Sequence, residues 1–316
     1  MAQLPGRKRG RALSRLVTAA IAAALVGTTA GTAAADAPAT PSASQLQKAA
    51  DTIAPTTGTR APVSESPADA PRFPLMAVNG TTLYRYFPDG HGGFADRGEP
   101  VNKDWRGITS TVQVDHNQDG LAEAHYFRTI DGSLFYVHRD KDTNKAAHER
   151  IGGGWNIYNR ITSPGNLGGS GEADLIARDQ SGVLWLYLAR PDGTLGDRIR
   201  VGAGWDQFTD IVGRGDLNGD GKADIVAKDR NGALWFYKGT GDSNDPFASR
   251  VKVGSGWDAY DMLVSSGDVD LDNRSDLLAR DKSGVLWLYK GNGNQNDPFA
   301  NRVRIGGGWG QYDTMF

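Results

Sequence analysis

The feature that most constrains this chain is that it repeats itself. The stretch "GDLNGDGKADIVAKDRNGALWFYKGTGDSNDPFASRVKVGSGWDAYD" is followed at once by "GDVDLDNRSDLLARDKSGVLWLYKGNGNQNDPFANRVRIGGGWGQYD", each residue displaced by 52. All eight tryptophans fall on the same lattice. One series is Trp105, Trp155, Trp205, Trp257 and Trp309, spaced by 50, 50, 52 and 52 residues. The other is Trp185, Trp235 and Trp287, continued by Phe135 and Tyr84 in the earlier copies. Two aromatic positions in each of five units require a fold made of like pieces, each burying its apolar faces against its neighbours.

Each unit reads as four short strands. In the fifth copy these are "YDMLVS" (260–265), "DLLARD" (276–281), "VLWLYK" (285–290) and "RVRIGG" (302–307). Alternation within "VLWLY" sets Leu286 and Leu288 on one face and Trp287 and Tyr289 on the other, so both faces are apolar and both must be covered. Turn residues recur too often to leave room for amphipathic helices inside the repeats. The chain enters the first unit at its second strand, "FPLMAV" (73–78), and leaves after a lone first strand, residues 311–316. Pairing these two segments closes a ring. The expectation is an all-β, five-bladed β-propeller over residues 72–316, closed by the C-terminal strand in the first blade.

Residues 1–35 carry five basic side chains, an Ala/Val/Leu-rich run and Ala33-Ala34-Ala35 ahead of Asp36, the pattern of a secretory signal peptide too short in its apolar part to span a bilayer. No adjacent arginine pair is present, which favours the general export route. Residues 36–71 are rich in Ala, Pro, Ser and Thr and are expected to be a disordered linker. Without the signal the chain keeps 30 basic against 37 acidic residues, about −7, which argues against nucleic-acid or anionic-membrane partners. There is no cysteine, so disulfides cannot staple the exported domain.

Three inter-strand loops place oxygen donors at positions 1, 3, 5 and 9. They are Asp115, Asn117, Asp119 and Glu123; Asp216, Asn218, Asp220 and Asp224; and Asp268, Asp270, Asp272 and Asp276. Position 7 offers the backbone carbonyls of Leu121, Lys222 and Arg274. Position 6 holds Gly120, Gly221 or Asn273, residues that accept a left-handed backbone. A helical calcium hand is ruled out, since its twelfth position would be Ala227 and β-hairpin sequence follows. Hard oxygen donors in this irregular set suit Ca2+, and three sites are expected. The loop "NLGGSGEAD", with Asn166, Gly168, Ser170 and Asp174, keeps the last donor, has lost the charge at the others and is expected to hold no tight ion.

Units of the form G-D-x-[ND]-x-D-G-x-x-D followed by "LLARDxSGxLWLY" resemble the FG-GAP or VCBS repeats of exported bacterial proteins, related to the calcium-loop blades of integrin α-subunits. The five units with their G-W-x-x-[YF] corners also resemble the tachylectin-type lectin propellers, which implies sugar pockets between blades. On that resemblance the corner aromatics Trp155, Tyr158, Trp205, Phe208, Trp257, Tyr260, Trp309 and Tyr312 are candidate sugar contacts, provided their rings stand partly exposed beside polar groups. The five histidines (His91, His116, His125, His138, His148) lie in the first two units, outside the lattice and outside any nucleophile motif. The sequence therefore points to a secreted, monomeric, non-enzymatic calcium-binding module for an extracellular glycan. A calcium-stiffened protein-interaction or adhesion scaffold is the alternative, and an enzyme with a central-channel site is the third.

Overall fold

In the computed structural model, residues 39–54, 70–140 and 142–316 are described. The signal peptide expected over 1–35 lies outside them, as does half of the 36–71 segment.

Among the described residues twenty strands form five four-stranded antiparallel sheets. Blade 1 contains β1 (Leu75–Asn79), β2 (Thr82–Pro88) and β3 (Phe94–Asn102). Blade 2 is β4 (Ile108–Val114), β5 (Ala124–Thr129), β6 (Leu134–Arg139) and β7 (Ala146–Gly152). Blade 3 follows with β8 (Tyr158–Gly165), β9 (Asp174–Asp179), β10 (Leu184–Tyr187) and β11 (Ile199–Gly202). Blade 4 has β12 (Phe208–Val212), β13 (Ile225–Asp229), β14 (Leu234–Tyr237) and β15 (Val251–Gly254). Blade 5 has β16 (Tyr260–Gly267), β17 (Asp276–Asp281), β18 (Leu286–Tyr289) and β19 (Val303–Gly306). The last strand, β20 (Thr314–Met315), pairs antiparallel with β1, Ala77 opposite Met315, and supplies blade 1 with its fourth strand. The five-bladed, terminus-closed propeller is thus the fold.

The apolar faces meet in five clusters, one per blade interface. Between blades 4 and 5, for example, Val226, Leu234 and Phe236 face Trp257, Tyr260 and Ala279. The ring closes between blades 5 and 1, where Leu278, Leu286 and Leu288 meet Leu75, Tyr86 and Met315. A basic side chain on the second strand clamps the next blade. Arg128 donates to the carbonyls of Trp155 and Tyr158, Arg178 to those of Trp205 and Phe208, and Arg280 to those of Trp309 and Tyr312, with Lys228 reaching Tyr260. Charge-assisted bonds to buried carbonyls contribute about 1.5–3 kcal/mol each.

The expectation of a disordered 36–71 segment fails at α1 (Ala43–Ile53). Ser42 and Gln45 form a reciprocal capping box at its start. Leu46, Ala49, Ala50 and Ile53 share one face at helical spacing, and that face packs on Met76, Val78, Leu83, Phe127 and Val137, between blades 1 and 2. Room exists there because blade 2 carries Ile108 and Val137 where blade 3 carries the hydrogen-bonded pair Tyr158 and Tyr187. The helix supplies the missing bulk.

Candidate metal loops and channel mouth

The three acidic loops connect the first and second strands of blades 2, 4 and 5. In each, three carboxylates bring oxygens within 4.8 Å of one another: Asp115, Asp119 and Glu123; Asp216, Asp220 and Asp224; Asp268, Asp270 and Asp276. Asp272 is not in the third set; its Oδ1 accepts the Arg274 N–H instead. Asn117 and Asn218 lie at the edge of their clusters, donating to Asp119 and Asp224 at 3.1 and 3.0 Å.

The backbone explains the convergence. Positions 4 and 6 both take left-handed φ: Gln118 and Gly120 (58° and 83°), Gly219 and Gly221 (84° and 80°), Leu271 and Asn273 (62° and 69°). The expected turn at position 6 is therefore found, and a second one accompanies it. These turns aim N–H groups inward at the first carboxylate. Asp216 accepts from Asn218, Gly219 and Gly221, while Asp268 accepts from Asp272 and Asn273. At position 7, the N–H groups of Leu121 and Lys222 cap the carboxylates of Asp119 and Asp220.

The carboxylate at position 9 has a structural role of its own. Asp224 accepts from Leu217 N with one oxygen and from Gly239 N with the other, latching the loop to the connection beyond β14. Asp276 does the same with Val269 and Gly291. Asp174 repeats the latch with Leu167, Gly168 and Ala189 in the loop that lacks the other acidic donors, so the latch operates without an acidic cluster.

Burial pushes Asp224 up to about 7 against the pull of its backbone donors, with Asp216 and Asp220 adding to the rise. Burial likewise raises Asp276 and Glu123 to about 7 and Asp115 to about 6. Lysines partly offset the charge: Lys238 lies 2.9 Å from Asp220 and Lys290 2.7 Å from Asp270. Blade 3, whose loop lacks acids at positions 1, 3 and 5, has Leu188 at that place. Two carboxylate oxygens remain buried with no hydrogen-bond partner, Glu123 Oε2 and Asp270 Oδ1, the latter on a side chain 6% exposed. Oxygen clusters with unpartnered buried lone pairs fit a hard cation.

The first blade lacks this loop because the chain ends interrupt it. Residues 70–73 cross the gap instead. Ala70 N donates to Asn273 Oδ1, Arg72 N to the Gly120 carbonyl and Phe73 N to the Ser266 carbonyl, while Asp268 N donates to the Pro71 carbonyl. This strap ties the blade 2 and blade 5 loops together across the channel mouth. It borders a cavity of about 590 Å³ whose wall includes Gln113, Asp115, Asn166, Arg214 and Asp216. Arg214 lies over the Phe73 ring at 4.2 Å and donates to the carbonyls of Ser265 and Gln113. Burial lowers its guanidinium to about 9.

The corner aromatics correct an expectation. Trp155, Trp205 and Trp257 are each 7% exposed and Trp309 8%, and Tyr158, Phe208, Tyr260 and Tyr312 are buried with them. Gly154, Gly204, Gly256 and Gly308, with φ between 81° and 91°, turn the chain so that each indole drives inward between blades. There Trp155, Trp205 and Trp257 meet Tyr187, Tyr237 and Tyr289 at 4.7, 4.8 and 4.6 Å. They are core residues and offer no sugar shelf. The half-exposed rings are those of Trp185, Trp235 and Trp287, each roofed by an arginine (Arg198, Arg250, Arg302) at 4.1–4.2 Å. Their indole N–H groups donate to Asp179, Asp229 and Asp281.

These loops and blades agree with the comparison to known families. Residues 167–227 and 216–279 match the family model of the FG-GAP-like repeat. The chain is accordingly a five-bladed propeller carrying FG-GAP-like repeats. No curated protein matches it. Among solved structures it is similar to Prp20p from Saccharomyces cerevisiae, at 11% identity and a TM-score of 0.35, covering 71% of this chain and 59% of that one. It thus spans about three fifths of Prp20p. It is also similar to a mutant of AofleA from Arthrobotrys oligospora, at 11% identity and a TM-score of 0.45, covering 79% of this chain and 76% of that one. Among the described residues no helix is long and apolar enough to cross a membrane.

Proposed function

We propose that this protein is a secreted, calcium-stiffened binding module, not an enzyme, and that it engages its extracellular partner through the face bearing the acidic loops. Convergence of three carboxylates in each of three loops is the observation that carries the reading. Calcium would be held by Asp115, Asp119 and Glu123 in blade 2, by Asp216, Asp220 and Asp224 in blade 4, and by Asp268, Asp270 and Asp276 in blade 5. The carbonyls of Leu121, Lys222 and Arg274 and the amides of Asn117 and Asn218 complete the shells. Calcium supplies charge neutralisation and loop rigidity. With no cysteine to staple the ring and a strap tied between two of the loops, rigid loops hold the channel mouth in one shape.

Burial of the corner rings removes the residues on which a between-blade sugar site was expected, so the partner surface moves to the loop face. That face carries exposed Lys222 and Arg274 beside the acidic clusters. A glycan array and a panel of extracellular matrix proteins, probed with and without chelator, test the reading. The expected result is a ligand whose binding needs calcium and is weakened at least tenfold by Lys222→Glu or Arg274→Glu but not by Lys282→Glu on the opposite, hairpin face. Binding that survives chelation, or that maps to Lys282, contradicts it.

A further inference from the structure

At one channel-facing position the blades differ, and only Arg214 brings a charge there. Two residues ahead of the first loop donor, blades 2, 3 and 5 carry Gln113, Pro164 and Ser266, while blade 4 carries an arginine. Arg214 is 7% exposed, and its guanidinium reaches across the channel to the backbone carbonyls of Gln113 in blade 2 and Ser265 in blade 5. Among the described residues no carboxylate pairs with it in a salt bridge. Asp115 on the cavity wall favours its charge without forming a salt bridge, while two other neighbours are basic or neutral. His125 is buried with neither ring nitrogen bonded, and its charged form is opposed by burial, then by Arg214 and Arg85. Arg85 Nε is buried and unpartnered as well. A buried guanidinium without a paired anion is costly, and its remaining donors suit a carboxylate.

The cavity above supplies the rest of a recognition site. Gln113, 1% exposed, spends its amide N–H on the Pro74 carbonyl and leaves Oε1 buried and unpartnered. Asn166 Oδ1, on the wall of the same cavity, is unpartnered too. Two orphan carbonyl-type oxygens ask for hydroxyl or N–H donors. The volume of about 590 Å³ is in the range of pockets that hold small organic ligands.

We propose that the cavity at the channel mouth binds a small hydroxylated carboxylate of the sugar-acid class, its carboxylate on Arg214 and its hydroxyls on Gln113 Oε1 and Asn166 Oδ1. This rests on the calcium reading in one respect: Asp115 and Asp216 border the cavity, and calcium in their loops is what keeps them from repelling the ligand.

The test is calorimetry on the full-length protein, first with calcium alone, then with D-glucuronate, D-glucose and acetate added to the calcium-loaded protein. Expected are one glucuronate per chain and binding at least tenfold weaker for glucose and for acetate. Gln113→Glu adds a negative charge to the cavity wall and gives up the bond to the Pro74 carbonyl. It should abolish glucuronate binding while the folded state and calcium stoichiometry are kept, at a somewhat lower melting temperature; Arg214→Met should abolish it as well. Calcium binding without glucuronate binding, equal affinity for glucose, or undiminished glucuronate binding by Gln113→Glu overturns the proposal. Acetate matching glucuronate overturns its hydroxyl recognition. Failure of calcium to bind at the first step counts against the metal sites instead.

Discussion

Replacing a corner tryptophan should damage the fold more than replacing a strand tryptophan. Trp257 is 7% exposed and lies in the blade 4–5 interface with Leu234, Phe236, Tyr260 and Tyr289. A ring of this kind buries about 200 Å². At about 25 cal/mol per Å² that is about 5 kcal/mol of transfer free energy, and measured Trp→Ala changes in cores cost about 3–5 kcal/mol. For a domain of this size each kcal/mol moves the melting temperature by about 2–4 °C, so Trp257→Ala should lower it by about 10 °C. Trp287 is half-exposed; its alanine variant loses the Arg302 stack and the bond to Asp281 and leaves little cavity, for about 1–2 kcal/mol. Urea unfolding of both variants in saturating calcium measures the difference. If Trp287→Ala proves the more destabilising, the packing described for the corners is wrong.

Three further outcomes follow from the same interfaces and loops. In calcium-free protein, Asp224, Asp276, Glu123 and Asp115 have folded pKa values above the ordinary carboxylate value, so between about pH 4 and pH 7 the folded state binds more protons than the unfolded chain. Chelated protein should therefore melt higher at pH 5 than at pH 8, each raised unit being worth about 1.4 kcal/mol at most, and the stabilisation that calcium adds should grow with pH; a chelated melting temperature that rises from pH 5 to pH 8 contradicts this. Removing residues 314–316 deletes β20 and the reciprocal bonds between Met76 and Phe316, exposing the edge of β1, and should produce aggregation or loss of cooperative unfolding. Arg280→Met orphans the carbonyls of Trp309 and Tyr312 and should cost about 2–4 kcal/mol, whereas Arg280→Lys should retain part of that, since Lys228 already makes the equivalent contact; equal losses would show that the clamp is not electrostatic.

The ring was legible because its information is periodic. A 52-residue displacement locates every strand of blade 5 to within two residues, and the leftover "GQYDTMF" implies β20. The loops were legible for the same reason, down to the left-handed backbone at Gly221 and Asn273. What the repeat could not show is what lies between units. Whether Trp257 points out or in depends on a neighbouring blade that no single unit contains. The latch at Asp224 joins residues fifteen apart and reads, in sequence, as one more loop carboxylate. The helix at Ala43–Ile53 sits outside the lattice, and its Ala-rich stretch averages to a linker composition. Its signals were local: Ser42 three residues before Gln45, and Leu46, Ala49, Ala50 and Ile53 at helical spacing. Arg214 was hidden because nothing repeats it.

The most direct test of the account is the number of calcium ions the folded protein binds. Calorimetric titration of chelator-treated protein at pH 7.5 should find three, with Asp220→Ala reducing the count to two and Ser170→Ala leaving it at three. At free calcium about 100 times Kd each site adds about 2.7 kcal/mol to stability, so saturation should raise the melting temperature by many degrees. A wild-type chain that takes up no calcium, or an Asp220→Ala variant that still binds three ions, contradicts the assignment of the loops.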